Sequence, residues 1–310
     1  MANAGAVAAG AAVRDFAPIS GAGQRGMIAL EGGVFLMGSE GGTYPEDGEG
    51  PVREVTLSPF FMDATTVTNR QFKRFVEATG YKTEAERFGW SFVFHMLVPD
   101  KVKAKLKQQV QGLEWWLKVP GAYWKRPFGR GTDIRSIMDH PVVHVSWADA
   151  VAYCQWAGKR LPTEAEFEYA ARGGLVQKRL PWGDELTPNG EHRCNIWQGR
   201  FPVENTAEDG FVGTCPVRTY PPNGYGLYNM AGNVWEWCAD WWSPDFHVDG
   251  PRTNPAGPDS GVSRVIRGGS FLCHDSYCNR YRTSARTHNT PDSATSNMGF
   301  RCVADVEDGA

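Results

Sequence analysis

No stretch of the 310 residues approaches the roughly 18 consecutive apolar residues that a membrane-spanning helix requires. Neither sign of charge prevails. The 32 Lys and Arg against 35 Asp and Glu leave a formal −3, which gives no footprint for nucleic acid or a membrane surface. Residues Met1 to Val13 are Ala/Gly-rich and lack the basic start and Leu/Val core of a secretory signal. Residues 1–25 are therefore expected to be a disordered leader, with the cytoplasm as the compartment. Cysteine is sparse: seven, at 154, 194, 215, 238, 273, 278 and 302. The odd count and scattered spacing do not suit a small secreted disulfide scaffold. Internal repeats and linkers are also lacking, so one domain is expected over 26–308.

What is abundant points to an irregular chain with a real core. The hydrophobic fraction is 41%, and 36 Gly and 20 Pro predict many turns. Met27 to Met37 reads as strand, turn and strand around Gly32-Gly33. Pro51 to Leu57 alternates with Val52, Val55 and Leu57 apolar, a strand with one buried face. Thr68 can cap a helix carrying Phe72, Phe75 and Val76, ending near Gly80. Ser146–Asp149 opens a second helix through Trp156, stopped by Gly158. Thr163–Glu166 has the capping-box pattern for a third, running to about Arg172 before Gly173-Gly174. Between the first two lies an aromatic-rich insertion, 84–132, with a short exposed helix expected over Lys101–Val110. Most of its aromatics, Trp90, Trp115, Trp116 and Trp124 among them, are read as packing residues, a minority as groove lining. No long helix is expected after 172. The fold class is α+β with little regular secondary structure.

Only Cys273 and Cys278 lie close together. Two thiolates are soft donors that select Cu(I), and a pair suits a two-coordinate site. Other readings stay open at this point: a disulfide, two unrelated buried thiols, or a structural zinc, although zinc needs four ligands and no second Cys/His pair has the spacing. His140-Pro-Val-Val-His144 carries two histidines, but Ser146 stands where a non-haem iron site of the form His-x3-His-x-Glu would need its carboxylate. His274 is read as an exposed loop residue.

Longer motifs carry a resemblance. They are Gly32-Gly-Val-Phe-Leu-Met-Gly-Ser39, Gly158-Lys-Arg-Leu-Pro-Thr-Glu-Ala-Glu-Phe-Glu-Tyr-Ala170, Asn223-Gly-Tyr-Gly-Leu-Tyr-Asn-Met-Ala-Gly-Asn-Val-Trp-Glu-Trp237, Arg267-Gly-Gly-Ser270 and Gly299-Phe-Arg-Cys302. Together they resemble the sulfatase-modifying factor family over about 26–305. Cys273-His-Asp-Ser-Tyr-Cys278, Asn279-Arg-Tyr-Arg282 and Asn289-Thr-Pro-Asp-Ser293 are similar to the subgroup that makes formylglycine. Other members of the family lack the cysteine pair and are not oxidases.

The resemblance implies a single domain with a variant of the C-type lectin fold. It implies a copper-dependent oxidase that uses O2 and a thiol reductant to turn the cysteine of a sulfatase Cys-x-Pro-x-Arg motif into Cα-formylglycine. Cys273 and Cys278 would hold Cu(I), and the substrate cysteine would complete its coordination. Ser270 and Tyr277 would support oxygen or substrate chemistry by hydrogen bonding, with Asn297 and Arg301 beside them. Asn195, Ile196, Asp209 and Phe211 match one structural Ca2+ site of the family, and Asn229, Gly232, Val234 and Glu236 another. Cys154 and Cys302 occupy positions that members can bridge, while Ala171 and Thr283 leave a second family bridge unformed. Cys194, Cys215 and Cys238 are expected to be isolated. Two other readings compete: an iron enzyme related to sulfoxide synthases, and a non-catalytic lectin-like binding module.

Overall fold

The computed structural model describes residue 24 and residues 26–106, 109–110 and 112–306. The expected leader lies outside them but for residue 24, as do the last two residues of the expected domain. Strands β1 (Met27–Leu30), β2 (Gly33–Met37), β3 (Arg53–Leu57) and β4 (Phe60–Asp63) precede helices α1 (Asn69–Thr79) and α2 (Glu84–Phe88). Strand β5 (Trp90–Phe94), the single turn α3 (Asp100–Lys103), β6 (Gln109–Val110) and β7 (Leu113–Pro120) follow. Next come α4 (Trp147–Trp156), α5 (Glu164–Arg172) and the short hairpin of β8 (Gly199–Arg200) and β9 (Glu204–Asn205). Strand β10 (Trp235–Trp241), the turn α6 (Phe246–Asp249), β11 (Arg264–Arg267), β12 (Arg286–Asn289), β13 (Met298–Gly299) and β14 (Val303–Asp305) complete the order.

Helices α1, α2, α4 and α5 all open on a capping box. Thr68 with Gln71, Thr83 with Glu86, Ser146 with Asp149 and Thr163 with Glu166 exchange side-chain hydrogen bonds with each other's free backbone N–H groups. Such a cap is worth about 1 kcal/mol, which helps helices of five to eleven residues hold their first turn. The expected helix over Lys101–Val110 is not formed. Among the described residues of that stretch, only Asp100–Lys103 is helical, while Gln109–Val110 pairs with β7. Val102 and Leu106 pack against a small cluster of Val93, Leu117 and Val119, which draws the chain back to the sheet.

The α+β class with little regular structure holds. The sheets are small, and their pairings join distant segments. β14 pairs with β4, bringing Val303 opposite Met62. A four-stranded sheet has the order β12-β11-β10-β13, with β10 and β13 parallel. The insertion forms its own sheet, β5-β7-β6, and bridges at Phe92 to Thr295. α1 and α4 pack through Phe72, Phe75, Tyr153 and Phe300, with Phe72 and Tyr153 stacked at 5.9 Å. Beside them Cys154 Sγ lies 3.4 Å from Cys302 Sγ, both thiols free, so these two are within reach of each other.

Helix α5 is buried along its whole length, charges included. Glu164 accepts from Arg267 at 2.8 Å and from Arg286 at 2.7 and 2.6 Å. Glu168 accepts from Arg172 at 2.8 Å, from Arg267 at 2.7 Å and from the Gly38 N–H at 2.7 Å. Burial raises the Glu164 carboxyl's pKa, but the charges of Arg286 and Arg267 outweigh it and hold it at about 2. These pairs tie α5 to β11, β12 and the segment after β2.

Candidate active site

β11 ends at Arg267 and delivers the chain to two left-handed glycines, Gly268 with φ of 88° and Gly269 with φ of 72°. A Cβ on Gly269 would come within 3.1 Å of the Arg280–Tyr281 backbone, so glycine is required where the chain passes over its own return. Two tight turns follow. Cys273 N–H donates to Ser270 O at 2.9 Å, and Cys278 N–H donates to His274 O at 2.8 Å. They bring Cys273 Sγ to 2.8 Å from Cys278 Sγ. A disulfide bond would be about 2.05 Å, and both thiols are free.

Both sulfurs wall a cavity of about 250 Å3, together with Ser270, Tyr277, Arg280 and Asn297. The four-stranded sheet supplies Trp235, Ile266, Thr287 and Met298, and the insertion supplies Trp116. Ser270 Oγ accepts from Asn297 Nδ2 at 2.9 Å and from Leu272 N–H at 3.3 Å. With both acceptor positions used, its hydroxyl proton is left to donate into the cavity. Thr295 Oγ1 donates to Asn297 Oδ1 at 2.7 Å, which fixes the amide's orientation. Tyr277 stacks on Phe201 at 4.2 Å and meets Trp115 edge-on at 5.2 Å. Burial pushes its hydroxyl pKa up to about 12, so it stays a hydrogen-bond donor.

The two thiols titrate as one system. Burial, then the contact with Cys278, pushes the Cys273 thiol well up. The hydrogen bond from Cys273, with help from Arg280, brings Cys278 down against its burial. Cys278 is thus the more acidic sulfur of the two.

The structure sorts the remaining candidates. His274 bonds Ser276 Oγ at 2.8 Å and lines a separate cavity of about 270 Å3 behind the loop. His144 is fully buried with both ring nitrogens committed, to Ser91 Oγ at 2.8 Å and Pro127 O at 2.7 Å. His140 meets Thr214 Oγ1 at 2.9 Å. Neither histidine faces the cysteines' cavity. Arg301, expected beside the site, does not line the cavity either. It is completely buried and forks onto Glu236 at 2.7 and 2.8 Å, because a guanidinium this deep needs a carboxylate partner. That fork also uses both carboxylate oxygens of Glu236, leaving chiefly its backbone for any metal. Among the described residues, no group of three or more His, Cys, Asp and Glu is placed to hold a metal.

The other calcium candidates show open acceptors. Asn195 Oδ1 and Asn229 Oδ1 are buried without a hydrogen-bond partner. Asp209 accepts from Ile196 N–H at 3.1 Å and Phe211 N–H at 3.0 Å, and its Oδ2 shares the Gln198 amide with Ile196 O. Gly232 lies against the Asn195 carbonyl so closely that a side chain there would collide with it. Val234 is buried just ahead of β10. Cys194, Cys215 and Cys238 are buried and free.

Sequence reasoning missed Arg280, Trp235, Thr287 and the fixed place of Trp116 in the cavity. Arg280 stood inside a recognised motif, but nothing local showed that it lines the cavity.

Comparison with known proteins follows the same lines. The family described as the sulfatase-modifying factor enzyme 1-like domain matches residues 15–306. The chain is 63% identical over 285 residues to a formylglycine-generating enzyme of Thermomonospora curvata, covering 91% of this chain and 94% of that one. It is 50% identical over 283 residues to the inactive C-alpha-formylglycine-generating enzyme 2 of Bos taurus, covering 90% and 87%. Among solved structures, PvdO of Pseudomonas aeruginosa superposes with a TM-score of 0.67 at 25% identity, over 90% of this chain and 94% of that one.

Proposed function

Because the chain belongs to the sulfatase-modifying factor family, we propose that it is a formylglycine-generating oxidase acting on a cysteine in sulfatase polypeptides. Membership alone does not decide activity, since one relative at 50% identity is named inactive. The observation that carries the proposal is the pair of buried sulfurs, 2.8 Å apart, on the wall of a cavity large enough for a substrate side chain. The reaction balances as one peptidyl cysteine thiol, one O2 and two external thiols giving one peptidyl aldehyde, one hydrogen sulfide, one water and one external disulfide.

The donor set fits Cu(I). Two soft thiols face one cavity, and no described third Cys or His competes to close the site. The two sulfurs already meet at 2.8 Å on that wall, so both would be at hand to hold the ion. Cys273 and Cys278 are the residues that would hold the ion, and Cu(I) when bound supplies the electron that spin-restricted O2 needs to react. The cavity in front of the two sulfurs would leave room for the substrate sulfur. Ser270, steadied by Asn297, aims its free proton into this space, and Tyr277 keeps its own. Trp235, Ile266 and Met298 keep water from the thiols. Calcium, held through Asn195, Ile196, Asp209 and Phe211, and through Asn229, Gly232, Val234 and the Glu236 backbone, would tie loops together and take no part in the chemistry.

Mass spectrometry of a Cys-x-Pro-x-Arg peptide incubated with the protein, Cu(I), O2 and a thiol tests the proposal. The expected product has lost the sulfur and gained an aldehyde. A copper-loaded, folded protein that leaves the peptide unchanged overturns it.

A further inference from the structure

A strap from the N-terminal part of the chain closes over the end of the cysteine loop. Asn279 N–H donates to Tyr44 Oη at 3.1 Å, and the Arg280 guanidinium lies 3.9 Å over the Tyr44 ring. Arg280 Nε donates to Asp47 Oδ2 at 2.5 Å, across 233 residues of sequence. Two residues on, Arg282 forks onto Glu49, which also accepts from Ser284 Oγ at 3.0 Å. The guanidinium of Arg280 is thus held from two directions. What remains of it lines the same cavity as the Cys278 sulfur.

Among the described residues that line this cavity, Arg280 alone carries a permanent charge. We infer that Arg280 is a positioning residue for the anionic sulfur site, and that Asp47 and Tyr44 act through it by fixing where its charge points. The inference rests on the proposed function. Two thiolates around a monovalent cation sum to −1, and a third from the substrate makes −2. Such charge, walled by Trp116, Trp235, Ile266 and Met298, is costly without a cation beside it. Arg280 supplies that cation and favours a substrate that brings a thiolate over one that brings a neutral group. Asp47 cannot serve this purpose by its own charge, because a carboxylate near an anionic site opposes it.

That opposition makes the test decisive in sign. Cu(I) affinity is measured by competition with a chromophoric chelator for wild type, R280Q, R280K and D47N, each checked as folded by circular dichroism. R280Q is expected to weaken binding roughly tenfold, as loss of one unit charge a few ångströms away predicts. R280K keeps the charge without the fork and is expected to lose less. By charge alone, D47N would strengthen binding; if Asp47 aims Arg280, it weakens binding instead. A second readout compares copper-loaded protein for affinity to a cysteine peptide and its serine counterpart, and R280Q is expected to narrow that preference. Unchanged affinity and preference in R280Q, or tighter binding in D47N, overturns the inference while leaving the proposed function standing. Wild-type protein that binds no Cu(I) overturns both.

Discussion

The surroundings of α5 and the loop from Ser270 to Cys278 leave the same sheet and use polar groups in opposite ways. Around α5, Glu164, Glu168, Arg172, Arg267 and Arg286 are buried, and each meets an opposite charge within 2.8 Å. Most of their capacity is spent on one another, with Arg172 Nη1 and Arg267 Nε the buried donors left over. In the loop, Ser270 keeps a free hydroxyl proton, Tyr277 keeps its own, and the two free thiols meet on the cavity wall. A network whose charges are all paired is rigid and offers a ligand little, whereas groups facing a cavity with a proton to spare can engage one. The first region holds the second in place without entering its chemistry.

This division can be broken most severely at Arg267. Replacing it by Ala leaves Glu164 and Glu168 short of a partner in the interior, and a loss of about 3–5 kcal/mol is expected in urea denaturation. A loss below about 1 kcal/mol would show that the network is not what fixes α5 to β11. A pH series sharpens the same point. The Glu164 pKa is lowered from 4.5 to about 2 on folding. A depressed carboxyl stabilises the fold above its unfolded pKa and loses that contribution as pH falls through the folded one. Between pH 4.5 and about 2, wild type is expected to lose about 3 kcal/mol more than Glu164→Gln. Parallel curves would refute the ion-pair account. The smallest effect on stability is expected in the loop. Cys273→Ser and Cys278→Ser keep hydrogen-bonding capacity at the same turns and should cost about 1 kcal/mol or less, while peptide oxidation disappears. Either serine variant turning over peptide, or unfolding under conditions where wild type is stable, would erase the contrast between the two regions.

Legibility from sequence follows the range of the interactions. The caps at Thr68, Ser146 and Thr163 are four-residue patterns, so α1, α4 and α5 could be placed with both ends. The alternation at Val55 and Leu57 gave β3 in the same way. The helix over Lys101–Val110 failed because its few apolar residues answer to β5 and β7, which no local window contains. The cavity was partly readable, since Ser270, Cys273, Tyr277 and Cys278 sit in one motif. Its other walls come from the insertion, β10, β11, β12 and the segment leading into β13, and only folding brings these together. Arg301's partner was likewise out of view, since its charge is answered by Glu236, 65 residues away.

The paired glycines at 268 and 269 have a consequence for descent. They, with Arg282 at the far end, pin the cysteine loop to the scaffold without using either sulfur. Purifying selection for a folded chain therefore acts only weakly on the two cysteines. Mainly selection for the reaction maintains them, and once it relaxes, a single substitution can end the activity while heritable shape persists. Lineages built this way should accumulate silent copies readily, ready for recruitment as binding surfaces.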